Sequence, residues 1–185
     1  MKIEDGKGKN GDMSVSTTQR GNVSAKTAPR IMYAARDDGF SYAAVYEGIT
    51  AAAGEYVAYL KNTSSTKNLF VSDMAASGVE AIKWKLWFVT GTAASGETVT
   101  PTPFNKSKSI PAEATAMAGN TAITGLTTDG QIGFARSGAL SGVEVAYHNA
   151  LILGPGDALA VEYDTGTSGI CEVSIHFHFE DLGAS

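Results

Sequence analysis

The stretch IKWKLWFV, residues 82–89, constrains the fold more than any other part of the chain. Its large apolar residues recur at every second position. In an extended chain Ile82, Trp84, Leu86 and Phe88 therefore share one face, while Lys83, Lys85, Trp87 and Val89 share the other. A helix would scatter these residues around its surface, whereas a strand lying over a core accounts for them. Trp87 falls on the second face, where a buried side chain and an exposed interface anchor are equally consistent with the pattern. From Ile31 onward the same grammar repeats: short runs rich in Val, Ile, Tyr, Phe and Thr, broken by Gly, Ser, Asn, Asp and Pro. Strands are expected at 42–50, 55–61, 68–75, 79–90, 143–153, 157–163 and 170–180. No long helical period competes with them, and no fixed-period repeat is present.

Residues 91–142 form a long region rich in Ala, Thr, Ser and Gly and punctuated by Pro101, Pro103 and Pro111. Loops of this length inside a domain are functional or conceal short strands. Phe104, Ile110, Met117, Ile123, Leu126, Ile132 and Phe134 favour concealed strands, with one or two helical turns expected at 112–118. Toward the C-terminus, LILGPGDALAVEYDTGTSGICEVSIHFHFE reads as a three-strand meander. Gly154-Pro155-Gly156-Asp157 has the residue order of a type II turn, and Asp164–Gly169 marks the next reversal.

The 185 residues bear a net charge of -5, which argues against the basic footprint of a general nucleic-acid binder. The charge is unevenly placed. Residues 1–30 hold Lys2, Lys7, Lys9, Arg20, Lys26 and Arg30 against Glu4, Asp5 and Asp12, a net +3, so the remainder carries -8. With few large apolar residues, this arm cannot offset its own ordering entropy and is expected to be extended until a partner orders it. Thirty stretched residues reach at most about 100 Å, enough to strap a neighbouring subunit. Two segments are therefore expected: a basic arm over 1–30, and a β-sandwich domain over 31–185 containing the long loop region 91–142. No apolar secretion segment follows Met1, and no run of about 18 apolar residues occurs, so a soluble protein made in a cytoplasm is expected.

Several motifs suggest chemistry and then fail in context. Asp164-Thr165-Gly166-Thr167 resembles the catalytic loop of aspartic proteases, but that chemistry needs two carboxylates about 3 Å apart. The chain has one such motif, and too few residues follow it to complete a half-barrel, so turn chemistry explains it better. Gly6-Lys7-Gly8-Lys9-Asn10-Gly11 has dinucleotide-loop spacing, without the preceding strand and following helix that make such a loop work. His176 and His178 alternate outward from Cys171, Val173, Ile175, Phe177 and Phe179, together with Glu172 and Glu180. Two histidines at this spacing can share a metal ion, as in the His-x-His of cupins, but the further ligands are missing. A terminal-strand histidine pair is more often solvated or packed at a subunit contact, so His176 and His178 stand as minor metal candidates, strengthened if copies converge at a threefold axis. Cys171 reads as a small buried hydrophobe, and no nucleophile-elbow or triad pattern is present. No enzymatic activity and no cofactor are expected.

YVAYLKNTSSTKNLFVSDM, WKLWFVTGTAASGE, AEATAMAG and the C-terminal segment above resemble parts of small structural proteins of tailed bacteriophages, over most of residues 31–180. The resemblance implies a virion protein. Capsid decoration (cement) proteins of that group are commonly β-rich trimers seated over capsomer joints, and others build collars, tails or fibres. The expected fold is all-β, a jelly-roll-like antiparallel β-sandwich with an extended N-terminal arm. Strand order is invisible to alternation, so other Greek-key sandwiches remain open. The expected partners are the major capsid protein or other virion proteins and further copies of the chain, as a homotrimer on the capsid surface. Lys2, Lys7, Lys9, Arg20, Lys26, Arg30 and Trp87 are the candidate contact residues. The alternative is a tail, collar or fibre module that binds a host receptor or glycan.

Overall fold

The computed structural model describes residues 39–182 apart from 109, 121, 165 and 166, excluding the side chain of residue 149. Within residues 1–38 it describes only the backbone of four short strands. There β1 (Ile3–Glu4) pairs with β2 (Asn10–Gly11), and β3 (Val15–Thr17) with β4 (Val23–Ala25). The remaining strands are β5 (Ser41–Ala51), β6 (Glu55–Asn62), β7 (Lys67–Gly78), β8 (Ile82–Ala94), β9 (Glu97–Val99), β10 (Thr102–Pro103), β11 (Ala114–Ala118), β12 (Thr124–Ser137), β13 (Ser141–Leu153), β14 (Ala158–Asp164) and β15 (Gly169–Asp181).

Two antiparallel sheets stack with the core between them. One has the order β10-β5-β15-β7-β13, the other β12-β8-β14-β6-β11-β9. Setting aside β9–β11, every successive long strand crosses to the opposite sheet except β8 to β12, which lie side by side. The two four-strand cores, β5-β15-β7-β13 and β12-β8-β14-β6, are those of an eight-stranded jelly roll built from two Greek keys. That order resolves the choice among Greek-key sandwiches left open by the sequence. It also corrects the C-terminal meander: β13 and β15 belong to one sheet and β14 to the other. The turn at Gly154–Asp157 is present, and residues 165 and 166 of the second lie outside the described residues, but a reversal does not dictate which sheet receives the next strand. At Gly154–Asp157 the amide of Asp157 donates to the Gly154 carbonyl at 3.1 Å, and Gly156 takes the positive φ of +86° that the third position of a type II turn requires.

Inward positions fill the core as alternation demands. Tyr42, Tyr46, Ile49, Leu60, Leu69, Trp84, Leu159, Tyr163 and Phe177 are fully enclosed, each burial of this size being worth about 1.5–3 kcal/mol. Trp84 meets Tyr163 edge-on at 5.9 Å, and its indole N–H donates to Ser137 Oγ at 3.0 Å. Phe88 keeps the inward parity of Leu86, yet it is 36% exposed, because its partner in β12 is Gly130, which has no side chain to cover it. Val89, on the outward face, is buried instead under a second apolar cluster.

The insertion between β8 and β12 carries the other departures. Residues 112–118 form no helical turn, because β11 adds to the edge of β6, pairing Ala114 with Asn62 through Ala118 with Ala58. β9 then pairs with β11, and β10 pairs with the start of β5. The insertion thus caps one flank of both sheets, while β12 and β13 form the opposite flank. Neither of these is a plain edge: β12 shifts register three times, and β13 loops out between Ala146 and Leu151. Such bulges hinder unregulated edge-to-edge pairing.

Candidate functional site

The outer face of the five-stranded sheet gathers the histidine candidates. Alternation along β15 turns Glu172, Ser174, His176, His178 and Glu180 away from the core, and β7 lies alongside in antiparallel register. His176 Nδ1 lies 2.7 Å from Asp73 Oδ1, and its ring meets Phe104 of the insertion edge-on at 5.3 Å. His178 is fully buried although it points outward, since its ring stacks on Phe70 at 5.3 Å and Nε2 lies 3.3 Å from Glu180 Oε1. The two histidines therefore share a face, but each is held by its own carboxylate and aromatic neighbour. Among the described residues no group of three or more His, Cys, Asp or Glu is placed to hold a metal ion.

Further along the same face an open groove of about 470 Å³ crosses all four core strands. Val45, Ala75, Ser77 and Ser174 provide a floor of small and apolar side chains, and Glu47, Glu144 and Glu172 stand at its rim. None of the lining residues is Lys or Arg, and none of the three carboxylates forms an ion pair with another described residue. Sequence reading placed Glu172 outward but had no means of bringing Glu47 and Glu144 to it.

The outer face of the six-stranded sheet has the opposite character. Tyr59, Val89, Ala158, Ala160 and Ile123 make a small buried cluster, with Tyr56, Trp87, Met117 and Leu126 packed around it. Ile123 reaches it because the chain passes tightly over β6. At Gly119 a Cβ would fall 2.2 Å from the Tyr56 carbonyl oxygen, so only glycine fits. Trp87 is half-buried here, and its indole donates to Glu162 Oε2 at 2.6 Å. Lys85 sits 3.0 Å from Glu162 and 3.1 Å from Asp164, while Lys83 is 3.6 Å from Asp164. The hydrogen bonds that Lys85 donates to Glu162 and Asp164 push its ammonium above its ordinary pKa, and Lys85 in turn holds the Asp164 carboxyl below the usual range. Beside this network Phe134 of β12 is 62% exposed, with Lys83 Nζ 5.4 Å and Arg136 Cζ 6.0 Å from its ring centre.

Asp164, which opens the protease-like motif, ends β14 in ion pairs with two lysines, at the reversal into β15. Cys171 is fully enclosed in the core, where burial and then the nearby Glu172 push its thiol up to about 12, far from a reactive thiolate. The Gly6–Gly11 spacing has no helix described after it, and Lys2, Lys7, Lys9, Arg20, Lys26 and Arg30 lie outside the described residues. Among the described residues no helix is long and apolar enough to cross a membrane. No protein-family model matches the chain, and no curated protein is significantly similar to it.

Proposed function

We propose that the chain is a non-enzymatic structural protein of a tailed-bacteriophage particle, a capsid decoration protein that binds and reinforces the lattice of the major capsid protein from the outer capsid surface as a homotrimer. The observation that carries this reading is the combination of a jelly-roll block with a first 30 residues of net charge +3. A closed sandwich with bulged flanks makes a stable tile, and the arm adds contact area that a tile lacks. Arm ordering costs entropy on binding, which suits a lattice that presents large repeated surfaces. Under this reading the basic arm lies on the shell and the acidic body faces outward.

A second reading, a tail, collar or fibre module that binds a host glycan or receptor, is favoured by one observation. Trp87 and the exposed Phe134 lie on the same outer sheet face, and aromatic faces of this kind suit attachment. Quantitative mass spectrometry of intact particles, paired with an electron-microscopy map, separates the two. The decoration reading expects hundreds of copies over the shell, and capsids lacking the protein that rupture sooner under heat and osmotic shock. A few copies at one vertex or along the tail, or capsids equally robust without it, refute that reading and favour attachment.

A further inference from the structure

The two outer faces of the sandwich differ in relief and in charge. On β12, Phe134 projects with 62% of its surface exposed, flanked by the cations of Lys83 and the exposed Arg136. On the other sheet, the open groove of about 470 Å³ has a floor of Val45, Ala75 and Ser174 under three carboxylates, Glu47, Glu144 and Glu172. One face offers an apolar knob between positive charges. The other offers an apolar-floored hollow between negative ones.

We infer that the groove is the docking site for a second copy of this chain, which inserts Phe134 while Arg136 and Lys83 meet the rim carboxylates. Three observations select this occupant. The charges of knob and groove are opposite in sign, and the groove has no cation of its own. Arg136 forms no ion pair with another described residue, so its charge is available to a partner. Both halves also lie toward the same flank, because β12 carries the knob and Gly142 and Glu144 of β13 form one wall of the groove. Different patches meet in such a contact, so it is heterologous. Copies joined this way close into a ring if the rotation between them closes, and extend as a stack if it does not. The inference rests on the homo-oligomer part of the proposed function, and it names the surface. A decoration protein that trimerises elsewhere passes the particle test and fails the one below.

The test uses the full chain in solution. A knob variant, Phe134→Ala with Arg136→Glu, keeps the groove, and a groove variant, Glu47→Lys with Glu172→Lys, keeps the knob. These residues are all on the surface, and circular dichroism checks that both variants fold. Sedimentation velocity is expected to show oligomers for the unaltered chain, weakening as salt screens the charges. Each variant alone is expected to sediment as a monomer, and the 1:1 mixture as a heterodimer that grows no further. Phe134→Ala alone is expected to weaken association by about thirtyfold or more, as truncation of an interface anchor does. A monomeric unaltered chain, variants that assemble like it, or a mixture that forms no heterodimer overturns the inference.

Discussion

Trp87 can be assigned to structure or to partner binding by one set of substitutions. Its indole packs on the cluster of Tyr59, Val89 and Ala160, and its N–H donates to the Glu162 carboxylate at 2.6 Å. Hydrogen bonds to a charged group contribute about 1.5–3 kcal/mol net. Trp87 is only half-buried, so the lower end applies, and Trp87→Phe is expected to cost about 1–2 kcal/mol. Trp87→Ala also loses the packing. Full truncation of a core Trp costs about 3–5 kcal/mol, and half-burial brings the expected loss to about 2–3 kcal/mol. For a domain of this size that is a fall in Tm of about 4–10 °C. Phe134→Ala, at a site 62% exposed, should stay within about 0.5 kcal/mol. The assay is urea unfolding with the slope held common, extended to a cycle of Trp87→Phe and Glu162→Gln. The two single losses should fail to add by about 1 kcal/mol. A Trp87→Ala variant that unfolds at the unaltered urea concentration would refute a structural role for Trp87 and leave partner binding as its reading.

Two further outcomes follow from the shifted groups. Cys171 should resist maleimide at pH 8 in the native protein and react fully in denaturant, since its enclosed thiol titrates at about 12. Rapid native labelling would contradict its placement in the core. Asp164 has a depressed carboxyl pKa, so its contribution to stability is complete above the unfolded value and is lost as pH falls through the folded one. Lys85→Met should therefore be less stable than the unaltered chain at pH 7, with the gap narrowing toward pH 3. A gap that stays constant over that range would refute the ion pair as its cause.

Seven of the eight jelly-roll strands were legible because each has a buried face that imposes alternation, as in Trp84, Leu86 and Tyr163. The eighth, β12, was legible only as concealed extended chain marked by Leu126, Ile132 and Phe134, without its bounds or length. Ser137 is the only buried residue among its fourteen, and Gly125, Gly130 and Gly133 interrupt what pattern remains. An edge strand of this kind is held by its backbone ladder to β8 and by the Trp84–Ser137 hydrogen bond, neither of which leaves a periodic trace. The helical reading of 112–118 failed for a related reason. Alanine favours helix when nothing else decides, but the open edge of β6 offered a ladder for β11, and tertiary pairing overrode local propensity.

The surfaces were less legible than the fold, since a surface is assembled across strands. Alternation within β15 was enough to place Glu172, His176, His178 and Glu180 on one side. Joining Glu172 to Glu47 and Glu144 requires knowing that β15 lies between β5 and β7 and that β13 follows, an order no single strand encodes. At about 4.8 Å between neighbouring strands, the three intervals from β5 to β13 separate Glu47 and Glu144 by about 14 Å across the sheet, and the register offsets Glu144 by two residues along it. The same strand order sends β12 to the flank beside β13, and its register with β8, which sets Phe134 opposite the outward Lys85, turns Phe134 away from the core. The groove comes from the order β5-β15-β7-β13 and the outward Phe134 from the pairing of β12 with β8, so a sequence read strand by strand contains these residues without the surfaces they form.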